Sequence, residues 1–196
     1  MSLFKTTELT VKVHDEGAFT EAAGDVEFMN AGSLKLFKQK LSGIEQNKHY
    51  HFSTGGQWSM HELISYLLTI TGSADIYKST WAISEDPVRA FMDLKNKKVI
   101  RSIHCIFDYK TKEQKSPAYL LAKENFDTIT LAHCHAKATV LINEQWGISV
   151  SGSANDTRNP RIERGVICTH RDVAEFDIAW MKEVMHGNNP FKVRLK

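Results

Sequence analysis

The sequence has little of what would take it out of the ordinary globular class. It contains three cysteines, Cys105, Cys134 and Cys168. They are too few and too scattered for a disulfide framework, and the odd count leaves one over. A reducing, cytoplasmic setting is the expectation. No long hydrophobic run is present. The most apolar stretch, 63–70, falls far short of the roughly 20 residues a membrane helix needs, so membrane insertion is not expected. The opening residues lack a charged segment leading into an apolar run of about 7–15 residues, so no secretory leader is expected either. An excess of either charge is nearly absent, 25 Lys and Arg against 23 Asp and Glu leaving a net +2. No global positive field attracts nucleic acid or anionic lipid, and any basic site has to be local. Internal repeats and low-complexity tracts are also missing.

What is present suits one compact domain. The chain has 196 residues, 42% hydrophobic and 24% charged, enough to bury a sizeable core. Residues 1–50 carry no catalytic pattern and read as an N-terminal extension for packing or oligomerisation. Leu9, Val11 and Val13 alternate like a strand, and 34–41 suits a strand or a short helix. Residues 51–196 read as the main folded domain. Gly55 and Gly56 mark a turn. Ser59 and Glu62 have capping-box spacing ahead of Leu63, Tyr66, Leu67 and Ile70, which recur at helical period until Gly72. A strand over 75–83, a helix over 84–95 with Ser84 as N-cap, a strand over 99–107 and a helix over 116–123 follow. Strand character resumes at Phe126 and runs through His133–Lys137 to Ile142, then again over 147–150 and 164–169. An amphipathic helix closes the pattern at 171–185, with Val173, Phe176, Ile178, Trp180 and Val184 as its apolar side. Alternation of strand and helix over 59–110 predicts parallel strands with crossover helices. Closely spaced strands after Phe126 predict antiparallel pairing. The expected fold is an α/β sandwich with a mixed sheet.

The chemistry concentrates between His133 and Glu163. His133, His135 and Lys137 are spaced by two, so on a strand they would share a face. Three such side chains on a buried strand need a partner, and a phosphate anion is a natural one. The strand over 147–150 leads into Ser151-Gly152-Ser153-Ala154-Asn155. Gly152 lets a ligand or backbone come close, and Ser153 and Asn155 offer neutral hydrogen-bond donors. Glu163 is a carboxylate able to orient an imidazole.

These residues resemble the motif of the phospholipase D superfamily: His-x-Lys at His135-Ala136-Lys137, Gly-Ser-x-Asn at Gly152-Ser153-Ala154-Asn155, and an acidic residue further on at Glu163. The run from Gly152 through Asn159, Pro160 and Arg161 to Glu163 also resembles small single-motif members among phage and bacterial proteins. One departure stands out. The family's Asp five residues after the Lys is Ile142 here, and the interval to Gly152 is about three residues longer.

The resemblance implies a phospholipase D-like α/β sandwich and a metal-independent phosphodiesterase with no cofactor. One histidine would attack phosphorus to form a phosphohistidine, while a second protonates the leaving oxygen and later activates water. Lys137 and Asn155 would hold the non-bridging oxygens and Ser153 would add a hydrogen bond. Because the chain has one motif where the family uses two, the resemblance implies a homodimer with His135 from both copies at one phosphate. His133 lies too near His135 to be its opposite partner and reads as a substrate contact, as do Arg158 and Arg161. Nucleic acid, DNA or RNA, is the expected substrate, which makes an endonuclease the leading reading. The alternatives are an inactive nucleic-acid-binding module of the same fold or a phage or assembly protein. Metal binding by His133 and His135 is disfavoured, since Lys137 would repel a cation. Trp58 suits either base stacking or the core, and His104 reads as a core histidine.

Overall fold

The computed structural model describes residues 19–21, 26–30, 34–113, 117–157 and 161–187. The expected strand at Leu9–Val13 and the expected substrate contact Arg158 lie outside these residues. In chain order the elements are β1 (Phe19–Glu21), β2 (Val26–Asn30), α1 (Leu34–Lys40), β3 (His49–Thr54), α2 (Met60–Thr71), β4 (Ala74–Thr80), α3 (Glu85–Asn96), β5 (Ile100–Asp108), α4 (Tyr109–Glu113), α5 (Pro117–Asn125), β6 (Thr128–Ala132), β7 (Ala138–Ile142), β8 (Gly147–Gly152), β9 (Glu163–Cys168) and α6 (Arg171–Met185). The strands form one mixed sheet in the order β1-β2-β3-β9-β8-β7-β4-β5-β6.

The pairing follows the connections. β4, β5 and β6 are parallel, because α3 and α5 carry the chain back across the sheet between them. The closely spaced β7, β8 and β9 pair antiparallel, and β7 pairs antiparallel with β4. As a result the ends of β3, β4, β5 and β8 and the starts of β7 and β9 all lie along one rim of the sheet. Open α/β sheets bind ligands outside the carboxyl ends of their parallel strands.

Local sequence explains the helices. Glu62 reaches back to accept the Ser59 amide at 2.8 Å, completing the capping box that the spacing predicts for α2. α3 begins after Ser84 with Glu85, Asp86 and Pro87 in its first turn, where acidic side chains and a missing N–H are tolerated best. Period-two alternation divides the sheet's side chains between two layers. Ile103, Cys105 and Phe107 of β5 join Leu63, Leu67, Val88 and Phe91 of α2 and α3 in the larger core cluster. Ile106, Ala138 and Val140 face the opposite side, against Ala174, Ile178 and Met181 of α6.

Two expectations are corrected. The strand expected to run unbroken from Phe126 to Ile142 is interrupted at 133–137, which are neither strand nor helix. β6 is at the sheet edge beyond β5, whereas β7 lies on the far side of β4. The chain therefore has to cross the ends of β5 and β4, and a continuous strand cannot make that crossing. The second concerns α6. Its buried residues are Ala174, Ile178 and Met181, while Phe176 is 70% exposed and Val173 36%. The helix packs so close to β8 that a Cβ on Gly147 would stand 3.0 Å from the Arg171 Cα. Only a face with small Ala174 fits at that separation.

One polar interaction is built into the larger layer. Lys78 of β4 pairs with Asp156 at 2.7 Å, both side chains 2% exposed. Lys78 Nζ also donates to Thr139 Oγ1 at 2.7 Å and lies over the Phe91 ring at 5.6 Å. Removing one partner strands a buried charge. Lys78→Met is expected to cost about 3–5 kcal/mol. The double variant Lys78→Met/Asp156→Leu is expected to recover much of that loss in urea-unfolding midpoints.

Candidate active site

The five residues of the motif meet in one cavity of about 410 Å³ on the sheet rim. His135 and Lys137 come from the crossing segment before β7. Ser153 and Asn155 come from the turn leaving β8, and Glu163 opens β9. The crossing segment visits each strand end in turn. His133 packs its ring at a tilt against Tyr109 just past β5, centroids 4.8 Å apart. His135 meets Trp81 just past β4, at 5.8 Å edge to face. Lys137 reaches the start of β7. Its Nζ lies 3.4 Å from both His135 ring nitrogens and donates to the His135 carbonyl at 3.0 Å. His135 is exposed.

The turn after β8 is fixed by backbone. Gly152 N–H donates to the Lys137 carbonyl at 3.2 Å, and Ser153 N–H to the Arg164 carbonyl at 2.9 Å. The Ser153 hydroxyl donates to Glu163 in a short hydrogen bond and accepts from the Arg164 amide at 3.1 Å. Gly152 is required by proximity: a Cβ there would stand 2.5 Å from the Arg164 carbonyl oxygen and 2.9 Å from the Gly165 Cα. Past the turn, Asp156 is tied down by its backbone. Its N–H donates to the Ala82 carbonyl at 3.2 Å, and its carbonyl accepts from the Ser84 amide at 2.9 Å. Asn155, held between these anchors, carries a buried Oδ1 with no hydrogen-bond partner among the described residues. Rotating the amide exchanges its oxygen and nitrogen, and the residue lines the cavity.

The other expected contacts divide. Arg161 lines the cavity. His133 is exposed and does not line it. Trp58 is 5% exposed, packs on Phe52 at 5.2 Å and also lines the cavity wall. His104 hydrogen-bonds Thr128 and Ser102 and stacks on Tyr77; burial draws its pKa down. Among the described residues no group of three or more His, Cys, Asp or Glu side chains has the arrangement to hold a metal ion.

The departure at Ile142 falls away from the cavity. It ends β7 at the opposite rim and packs in the α6 layer. The β7–β8 turn lies at that same end, where Asn143 Oδ1 accepts the Gln145 and Trp146 amides at 3.0 and 2.7 Å.

Sequence reasoning missed part of the lining: His61, Glu62, Trp81 and Asp86. Ser59 and Glu62 appeared only as a helix cap, and the cap itself is what delivers them and His61 to the cavity. Trp81 follows the end of β4, a position visible once β4 is known to stop at Thr80.

Comparison with solved structures identifies the fold. The backbone is similar to NucT from Helicobacter pylori, with a TM-score of 0.52 and 13% identity, over 71% of this chain and 97% of that one. It is similar to polyphosphate kinase from Porphyromonas gingivalis, with a TM-score of 0.55 and 10% identity, over 81% of this chain and 30% of that one. Nuc from Salmonella typhimurium, a phospholipase D family member, aligns with a TM-score of 0.49 and 15% identity, over 63% of this chain and 86% of that one. No protein-family model and no curated protein sequence matches the chain. The shared fold is the mixed-sheet α/β sandwich that the phospholipase D resemblance implies.

The close approach at Gly152 gives a test of the site's architecture. Gly152→Ala should force β8 and β9 apart and lower stability by about 1–3 kcal/mol. Thermal melting reads the loss, and a melting temperature equal to wild type would refute the required contact.

Proposed function

We propose that this chain hydrolyses phosphodiester bonds of nucleic acid without a metal ion, through a phosphohistidine formed on His135. The observation that carries the reading is the convergence of His135, Lys137, Ser153, Asn155 and Glu163, from three separate segments, on one cavity. Neither half of the motif is informative alone.

The roles follow from chemistry. His135 is exposed, and its ring nitrogens lie beside the Lys137 ammonium. A phosphate seated there would take a charge-assisted hydrogen bond from Lys137 while His135 attacks phosphorus. Asn155 would bind a second non-bridging oxygen, and the two donors would stabilise the charge gathered in the transition state. Glu163 holds the Ser153 hydroxyl, which fixes the Gly-Ser-Ala-Asn turn against β9. Arg161 faces a neighbouring phosphate.

Nucleic acid is favoured by the rim. Lys110 Nζ lies 5.4 Å over the Trp81 ring, and Tyr109 beside His133 is 40% exposed. Aromatic faces interleaved with cations suit bases and backbone phosphates together. Among the described residues no helix is long and apolar enough to cross a membrane. The mechanism also needs a second proton-transfer group. The family resemblance would draw it from His135 of a twin chain in a homodimer.

Cleavage of single- and double-stranded oligonucleotides should persist in excess chelator and vanish in His135→Ala. Lys137→Ala and Asn155→Ala should each lower kcat by about 10²–10³. Binding of these oligonucleotides without turnover under any condition would replace the enzyme by a binding module.

A further inference from the structure

The rim that lines the cavity also presents side chains to the opposite face of the sheet, because side chains alternate along a strand. Thr54 of β3 pairs with Glu163 of β9, and both line the cavity. Ser53 pairs with Arg164 one step further in, and both turn the other way. His51 with Val166 and His49 with Cys168 continue that face. Ser151 and Ser149 of β8 join it, through their pairing with Val166 and Cys168. α6 lies on this side over β8 and β7. Among the described residues no helix extends over β9 and β3 there. Arg164 and Ser151 are exposed, and His49, His51 and Ser53 are half-buried.

The polar groups on this open face are basic or neutral. Arg164 donates from a guanidinium nitrogen to His51 Nδ1 at 3.2 Å. A guanidinium has no acceptor, so Nδ1 accepts and the His51 proton is on Nε2. A guanidinium beside an imidazole N–H suits phosphate oxygens. His49 comes next on the same face, roughly 6.6 Å along β3. Its ring lies 4.9 Å from that of His170, the residue before α6. Burial, then Arg164, then His49 hold the His51 pKa down, with no carboxylate opposing them. The carboxylates that border the face are engaged. Asp177 accepts from Ser149 and from Trp180, and Glu45 pairs with Lys48 at 3.3 Å.

Resting on the reading of nucleic acid as substrate, we infer that Arg164, His51 and His49 form a phosphate track outside the cavity. The track carries the nucleic-acid backbone away from the site, over the rim between β8 and β9 and onto the open face of β3. Continuity with the cavity favours a polymeric phosphate chain over an acidic peptide. Arg164 follows Glu163 directly, so a strand held in the cavity by Lys137 and Arg161 meets Arg164 as soon as it crosses the Gly152–Ser153 turn. Contacts of this kind fix position and carry no base preference. They lengthen the bound segment without touching the reacting phosphate.

Substrate length separates the track from the cavity. Binding of a long single-stranded oligonucleotide is measured across a salt series in a His135→Ala background, where it is not cut. Adding Arg164→Gln should raise the dissociation constant severalfold and lower the slope of log K against log salt by about 0.7. In the chain with His135 intact, His51→Ala should raise KM for the oligonucleotide and leave kcat unchanged. Turnover of bis(p-nitrophenyl) phosphate, too small to reach the track, should stay at the wild-type level. Melting temperatures confirm that the variants fold, and where His51→Ala lowers its own, Arg164→Gln alone decides. An unchanged dissociation constant and slope in folded Arg164→Gln overturn the track. So does a face that binds poly-glutamate in an Arg164-dependent way and the oligonucleotide without Arg164. Cleavage by the wild type would then still uphold the phosphodiesterase reading. A wild type that cleaves neither substrate, yet loses oligonucleotide affinity with Arg164→Gln, ends that reading and keeps the track.

Discussion

The buried pair of Lys78 and Asp156 ties the candidate site to the scaffold. Each charge has left water, a loss of several kcal/mol that only a close partner and further hydrogen bonds can offset. Lys78 has both, in Asp156 and Thr139. Asp156 immediately follows Asn155, so the pair fixes the exit of the Gly-Ser-Ala-Asn turn onto β4. The turn's entrance is fixed by Gly152 against Arg164 and Gly165, and its middle by Ser153 against Glu163. Asn155 stands between two anchored ends. Its backbone position is set by the sheet.

Much of the fold was legible because local signals agreed with tertiary ones. The cap and period of α2, the Ser84 start of α3 and the change from crossover helices to short turns each carry their physical cause in adjacent residues. What was not legible depends on strand order. Nothing local in His133–Lys137 says that β6 and β7 lie on opposite sides of β4 and β5, so an alternating pattern read as one strand. The face of α6 was misread for a similar reason. Two apolar stripes were available, and Gly147, far away in sequence, selects the one with the smaller side chain.

The site was legible in the part that lies in one short stretch of chain. His135, Lys137, Ser153, Asn155 and Glu163 span under 30 positions, and their spacing carries chemical meaning. His61 had no such signal. It sits inside a capping box whose structural role accounts for Ser59 and Glu62 completely, leaving the histidine between them as an ordinary helix residue. Only the antiparallel pairing of β3 with β9 brings that cap to the rim where the motif lies.

The crossing segment makes the same point about function. A strand carrying His133, His135 and Lys137 would have turned all three to one face, with like charges crowded on one ligand. The crossing deals them out instead, His133 to the end of β5, His135 to the end of β4 and Lys137 to the start of β7. His135 and Lys137 keep to the cavity, and His133 joins Tyr109 on the approach to it. The topological switch between β6 and β7, which defeats reading by periodicity, is thus what separates the pair lining the cavity from a histidine outside it. The irregular segment and the candidate site coincide because only a segment free of the ladder can present successive side chains to different strand ends.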